Sequence, residues 1–132
     1  MYNFHKDGTK PTRDNSIFVF GSNLLGIHGA GAAREAHISY DAEWGIPIGR
    51  TGECYAIPTK DKKLITLPIN EIKPFIDDFI EYASLHYHLN FFITRIGCGL
   101  AGYEDKDIAP LFKKIVKFNC SFAEQWRPFL NA

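Results

Sequence analysis

The sequence carries no excess of either charge: 15 Lys and Arg balance 15 Asp and Glu, for a formal net charge of +0. No run of like charge stands out, and the densest basic cluster is Lys60, Lys62 and Lys63. A broad nucleic-acid footprint, which needs a basic surface, is therefore not expected. Cysteine is scarce as well. The 3 residues present, Cys54, Cys98 and Cys120, are scattered and stand outside metal-ligand spacing, which suits a reduced, intracellular setting. No apolar stretch reaches membrane-spanning length, and residues 1–7 hold no apolar signal core, so a cytoplasmic protein without membrane contact is expected. Internal repeats and low-complexity tracts are missing too. Apolar residues are plentiful: a 45% hydrophobic share, with 11 Phe, 6 Tyr and 2 Trp, is ample for a packed core. At 132 residues, one domain over 1–132 is expected, with 1–15 as a polar lead-in.

Two glycine-rich loops, each just after an apolar run, carry most of the information. The first covers residues 21–33 and contains Gly21, Gly26, Gly29 and Gly31, after Ile17-Phe18-Val19-Phe20. The second covers 95–103 and contains Gly97, Gly99 and Gly102, after Asn90-Phe91-Phe92-Ile93-Thr94. Glycine lets backbone N–H groups turn toward an anion and lets a bulky group come close. A helix starting behind such a loop adds its dipole. A cleft for a phosphate-bearing, nucleotide-like ligand follows.

The apolar run at 17–20 predicts a strand buried on both faces, and 54–57 predicts a second. Residues 30–40 favour helix, while 45–52, with three glycines and a proline, predict a loop and 64–67 a brief extended piece. Ile69, Ile72, Phe75, Ile76, Phe79, Ile80, Ala83 and Leu85 follow the helical period. Pro74 sets that helix's start near Ile72 or Lys73, or else kinks it. Strands are predicted at 91–96 and 120–123. A helix is predicted over 105–118, with Ile108, Leu111, Phe112, Ile115 and Val116 on one stripe. Residues 1–15 read as an arm or an added edge. Alternating strands and helices define an α/β domain with helices covering a sheet.

In open α/β sheets, ligands collect beyond the carboxyl ends of strands. Both glycine loops sit there by this reading, and so does Pro58-Thr59-Lys60. Neither loop is a dinucleotide GxGxxG or a Walker loop. Cys98 could be a thiolate near helix N–H groups or a small packing residue. Lys60 could grip phosphate, attack a sugar aldehyde, or be a solvated lysine beside Asp61. Asn23 could bond a ribose hydroxyl or close a turn, and His28 could be a general base or carry no chemistry. No metal and no cofactor are expected.

Asn23, the Gly29-Ala30-Gly31-Ala32 helix start, Tyr55-Ala56-Ile57-Pro58-Thr59-Lys60 and the hexamer Arg95-Ile96-Gly97-Cys98-Gly99-Leu100 resemble the macro domains. The resemblance runs from about Ser16 to Phe118. It is nearest to the branch that includes the terminal ADP-ribose protein glycohydrolase. It implies a three-layer α/β/α fold with a mixed, mostly parallel sheet, and ADP-ribose or a related NAD-derived nucleotide in a cleft at the strand ends. It implies that the 97–102 loop, with Cys98, Leu100 and Ala101 and on to Tyr103, holds the diphosphate and distal ribose. Asn23 and residues 28–32 would wrap the same groups from the other side, beside Thr59. It places an adenine-reading acid before the first strand, where Asp14 lies. In the glycohydrolase branch the lysine of Thr-Lys attacks the ribose, and an aspartate after Gly-Cys-Gly-Leu assists. Here Lys60 is present, Ala101 replaces the aspartate, and Glu104 or Asp105 is the nearest substitute. Three functions follow: a reader of ADP-ribose, free or on a modified macromolecule; an ADP-ribosyl hydrolase using Lys60; or a sensor of another NAD-derived metabolite.

Overall fold

The computed structural model describes residues 2–115 and 119–130. Six strands form one sheet: β1 (Asn3–His5), β2 (Ser16–Asn23), β3 (Gly49–Thr51), β4 (Cys54–Lys60), β5 (Asn90–Ile93) and β6 (Cys120–Ala123), in the order β1-β6-β5-β2-β4-β3. The pairings are parallel except that of β3 with β4. The helices are α1 (Gly31–Ser39), α2 (Ile69–Leu85), α3 (Asp105–Ile108) and α4 (Arg127–Leu130), with 3₁₀ turns at Ala109–Phe112 and Glu124–Trp126. Among the described residues no helix is long and apolar enough to cross a membrane.

Strand alternation divides the core in two. From β2, Ile17 and Val19 face one way, joining Ile57, Phe91, Ile93 and Phe122 beneath Ile72, Ile76 and Phe79 of α2. Phe18 and Phe20 face the other way, joining Cys54, Ala56 and Phe92 under Ala33 and Ala36 of α1. The result is the expected three-layer α/β/α arrangement.

Several expectations change. Residues 49–51 are an edge strand, not loop, because Gly49, Arg50 and Thr51 pair with Ala56, Tyr55 and Cys54. Helix α2 starts at Ile69: the amides of Glu71 and Ile72 bond to the carbonyl of Pro68, and Pro74 lies inside the helix. The predicted helix over 105–118 is one α-turn followed by a 3₁₀ turn. Pro110 has no N–H to continue the α ladder. Its last residues, Val116 and Phe118 among them, lie outside the described residues. Residues 3–5 are an added edge, paired in parallel with β6. In β4, Pro58 lies opposite Ser22, next to a register shift between Ser22 and Asn23, a place that tolerates a residue without an N–H.

Candidate functional site

The carboxyl ends of β1, β5, β2 and β4 open onto one cavity of about 590 Å³. Asn23, Gly29, Ala30, Gly31, Ala32, Thr59, Lys60, Gly97, Cys98, Gly99, Leu100 and Ala101 all line it. The two glycine loops and the Thr59-Lys60 strand end are thus brought together, as the sequence predicts.

The first loop is built around Asn23. Its carboxamide is bidentate on Ile27: Nδ2 donates to the Ile27 carbonyl at 2.9 Å and Oδ1 accepts from the Ile27 amide at 3.1 Å. Gly26, at φ 71°, comes so close to the next loop that a Cβ there would stand 2.5 Å from the carbonyl carbon of Gly45. Only glycine fits. Ala30 then takes the N-cap of α1 and offers no side-chain acceptor, and the first turn holds no acid. Residues 30–33 line the cavity, so the uncapped N–H groups of this helix start are available to an anion.

The second loop is pinned from below. Gly97 has φ 77°, and a Cβ on it would stand 3.2 Å from Ile108. The Tyr103 amide donates to the Gly97 carbonyl at 2.8 Å, and the Thr66 hydroxyl donates to the Ala101 carbonyl at 2.8 Å. Arg95 forks onto Asp105, with Nε and Nη2 at 2.9 and 2.8 Å from its two oxygens, and reaches Asp7 at 3.3 Å. The loops meet above the cavity, where a Cβ on Gly31 would stand 3.3 Å from Leu100 Cδ1.

Some expected residues stand elsewhere. His28 is buried below the loop, with Nε2 2.9 Å from the Glu43 carbonyl, and does not line the cavity. The carbonyl can only accept, so Nε2 carries the proton; Nδ1 is buried without a partner among the described residues. Gly102 is outside the lining, and Tyr103 turns away to donate its hydroxyl to the Leu67 carbonyl at 2.6 Å. Asp14 is exposed and outside the cavity; Asp7, in the arm, lines it instead. Glu104 pairs with Lys106, while Asp105 holds Arg95 and accepts from Trp126 Nε1 at 2.8 Å. Neither carboxylate lines the cavity. Burial, and next the charge of Asp105, push the Cys98 thiol up to about 12, so it is no thiolate near neutral pH.

Sequence reasoning missed His5, Asp7, Thr9, Glu35 and Thr94, which also line the cavity. The His5 ring stacks on Phe92 at 3.8 Å between centroids. Burial drives its pKa down to about 4, against an opposing pull from Asp7. Lys60 is half-buried at the end of β4 and forms no ion pair among the described residues.

The fold is shared with solved macrodomain structures. The chain is similar to the macrodomain of Mycobacterium tuberculosis DarG, with a TM-score of 0.68 over 93% of this chain and 97% of that one, at 14% identity. It is also similar to Thermosipho africanus DarTG in complex with ADP-ribose, with a TM-score of 0.61 and 14% identity over 89% of this chain, which spans 42% of that one. A Bacteroides thetaiotaomicron protein of unknown function is similar too, with a TM-score of 0.64 and 15% identity over 93% of this chain and 98% of that one. No family model matches the sequence, and no curated protein matches it.

Proposed function

We propose that this chain binds ADP-ribose, or a closely related NAD-derived nucleotide, in the strand-end cavity. The observation that carries the reading is that two glycine loops, one running into an uncapped helix start, face the same cavity. From β4 to β1 is four strand spacings, about 19 Å, which matches an extended molecule with a diphosphate at its middle. The diphosphate would lie between the loops. Lys60 marks the distal-ribose end, and His5, Phe92 and Asp7 mark the adenine end. The structural likeness to a DarTG chain solved with ADP-ribose supports this choice of ligand.

Binding without efficient turnover is favoured by the residues around Lys60. Ala101 can neither transfer a proton nor carry charge, and Glu104 and Asp105 are committed elsewhere. The rim at this end carries exposed Leu64 and Leu100, so ADP-ribose attached to a macromolecule could be accepted as well as the free compound. We place the protein in the cytoplasm, in keeping with three cysteines free of disulfides. Calorimetric titration with ADP-ribose, beside AMP and NAD, tests the reading. Affinity in the micromolar range is expected for ADP-ribose, roughly −8 kcal/mol. No heat and no thermal shift at millimolar ADP-ribose would overturn it.

A further inference from the structure

A second cavity, of about 400 Å³, opens on the sheet face that carries α1, over β1, β6 and β5. Helix α1 packs near Phe18 and Phe20 of β2. Among the described residues, this half of the face is left to the arm, residues 9–13. The floor is polar. Asn3, Ser121 and Phe92 lie in register across β1, β6 and β5, and the His5 Nδ1 is 2.7 Å from the Ser121 hydroxyl. The sheet here is covered by the arm rather than by a helix, which leaves a shaped groove.

Two features of the groove point to an anion. Lys10 and Arg13 line it, and among the described residues no carboxylate does; Asp7 and Glu35 line the main cavity instead. Neither cation has an ion-pair partner among the described residues. Among the described residues the Arg13 guanidinium makes one hydrogen bond, donated to the neutral Asn90 carboxamide oxygen at 3.2 Å. In a chain whose formal charge sums to +0, this is a local positive patch with its charge unspent.

The groove is also continuous with the main cavity. His5, Thr9 and Phe92 line both, and they stand at the β1 end, opposite Lys60. A group attached to the adenine-side ribose would therefore leave the main cavity past Thr9 and meet Lys10 first. We propose that the groove is an anion subsite for a phosphate carried on the adenine-side ribose, so that the preferred ligand is a phosphorylated ADP-ribose. This rests on the reading of the main cavity given above. A phosphate monoester gains a charge-assisted hydrogen bond from an ammonium or guanidinium, and the open groove leaves room for it without displacing the nucleotide.

The test compares ADP-ribose with ADP-ribose 2′-phosphate by calorimetry, on the unaltered protein and on the double variant Lys10→Gln, Arg13→Gln. Both positions are exposed, and thermal melting of the variant checks that the fold is kept. On the unaltered protein the phosphorylated compound should bind about tenfold tighter, the worth of one hydrogen bond to a charged group. The advantage should shrink as salt is raised. It should disappear in the double variant, while affinity for ADP-ribose itself stays unchanged. Equal or weaker binding of the phosphorylated compound, or an advantage that survives loss of both cations, overturns the groove assignment and leaves the main cavity's reading intact. Failure of both compounds to bind overturns the main reading and this one with it.

Discussion

Gly99 and Gly97 sit two residues apart and ask different things of a side chain. Gly99 has no positive φ, and a Cβ there meets nothing within 4 Å. Gly97 is at φ 77° and its Cβ would press on Ile108. Gly99→Val should therefore melt within a degree or two of the parent, about ±0.5 kcal/mol as for an open surface position, yet lose at least about tenfold in ADP-ribose affinity. Gly97→Val should instead destabilise by about 1–3 kcal/mol through backbone strain. Unchanged binding by Gly99→Val would remove the second loop from the phosphate site. Ala101 is the other decisive residue. The parent should release ADP-ribose from a carboxylate-linked protein slowly or undetectably; Ala101→Asp should raise the rate, and Lys60→Ala should abolish what is left. General acid–base assistance is worth about 100-fold or more, so the gain is measurable by product release. Fast release that persists in Lys60→Ala would shift attention to Glu35, the acid of α1 that lines the cavity. The glycines and Lys60 were legible because turn chemistry and strand ends leave a local trace. His5, Asp7 and Thr9 were not, since only the pairing of β1 with β6 brings them to the cavity.

Among the elements, α2 was the most legible and is the most consequential for stability. Its apolar residues recur at the helical period, and Ile72, Ile76, Phe79 and Ala83 are each 0% exposed. Phe79 packs edge-on to Phe91 at 5.4 Å and to Tyr55 at 5.0 Å, joining the helix to β5 and β4. Phe79→Ala should cost about 3–5 kcal/mol, the range for truncating a buried aromatic, read as a lower urea midpoint with unchanged slope. A loss below about 1 kcal/mol would mean that the site collapses around the gap. The strands β2, β4, β5 and β6 were legible from short apolar runs, although β4 continues through Pro58 and β5 stops at Ile93. Edge strand β3 was not, because a three-residue strand beginning with Gly49 has too little pattern to outweigh its loop composition. The helix after Asp105 was over-extended: its apolar stripe is real, with Ile108, Phe112 and Ile115 all buried, but they come from a short α-turn, the 3₁₀ turn that holds Pro110, and the segment after it.

Across the whole molecule, Arg95 and Asp105 tie the site to both ends of the chain. Arg95 reaches Asp7 beyond β1, and Asp105 opens α3 and accepts from Trp126 near the last helix. The glycine loop at 97–102 hangs between them, so its position depends on contacts spread over the described chain. Partial burial pushes the Asp105 carboxyl up, but the hydrogen bonds from Arg95 and Trp126 outweigh it and hold the group below the ordinary carboxylate range. A carboxyl depressed in the folded state binds fewer protons there than in the unfolded chain, so its contribution is full above the unfolded pKa of about 3.9 and is lost as pH falls through the folded value. Asp105→Asn keeps the size of the side chain and removes the charge. It should lower stability by about 1–2 kcal/mol at neutral pH, a hydrogen-bonded charge lost from a half-buried site. ADP-ribose affinity should fall as well, because the loop loses its anchor. Melting curves of parent and variant should stay separated down to about pH 4 and converge below it. A separation that holds constant to about pH 2 would mean that the carboxylate's charge contributes nothing, and that Arg95 is held by geometry alone.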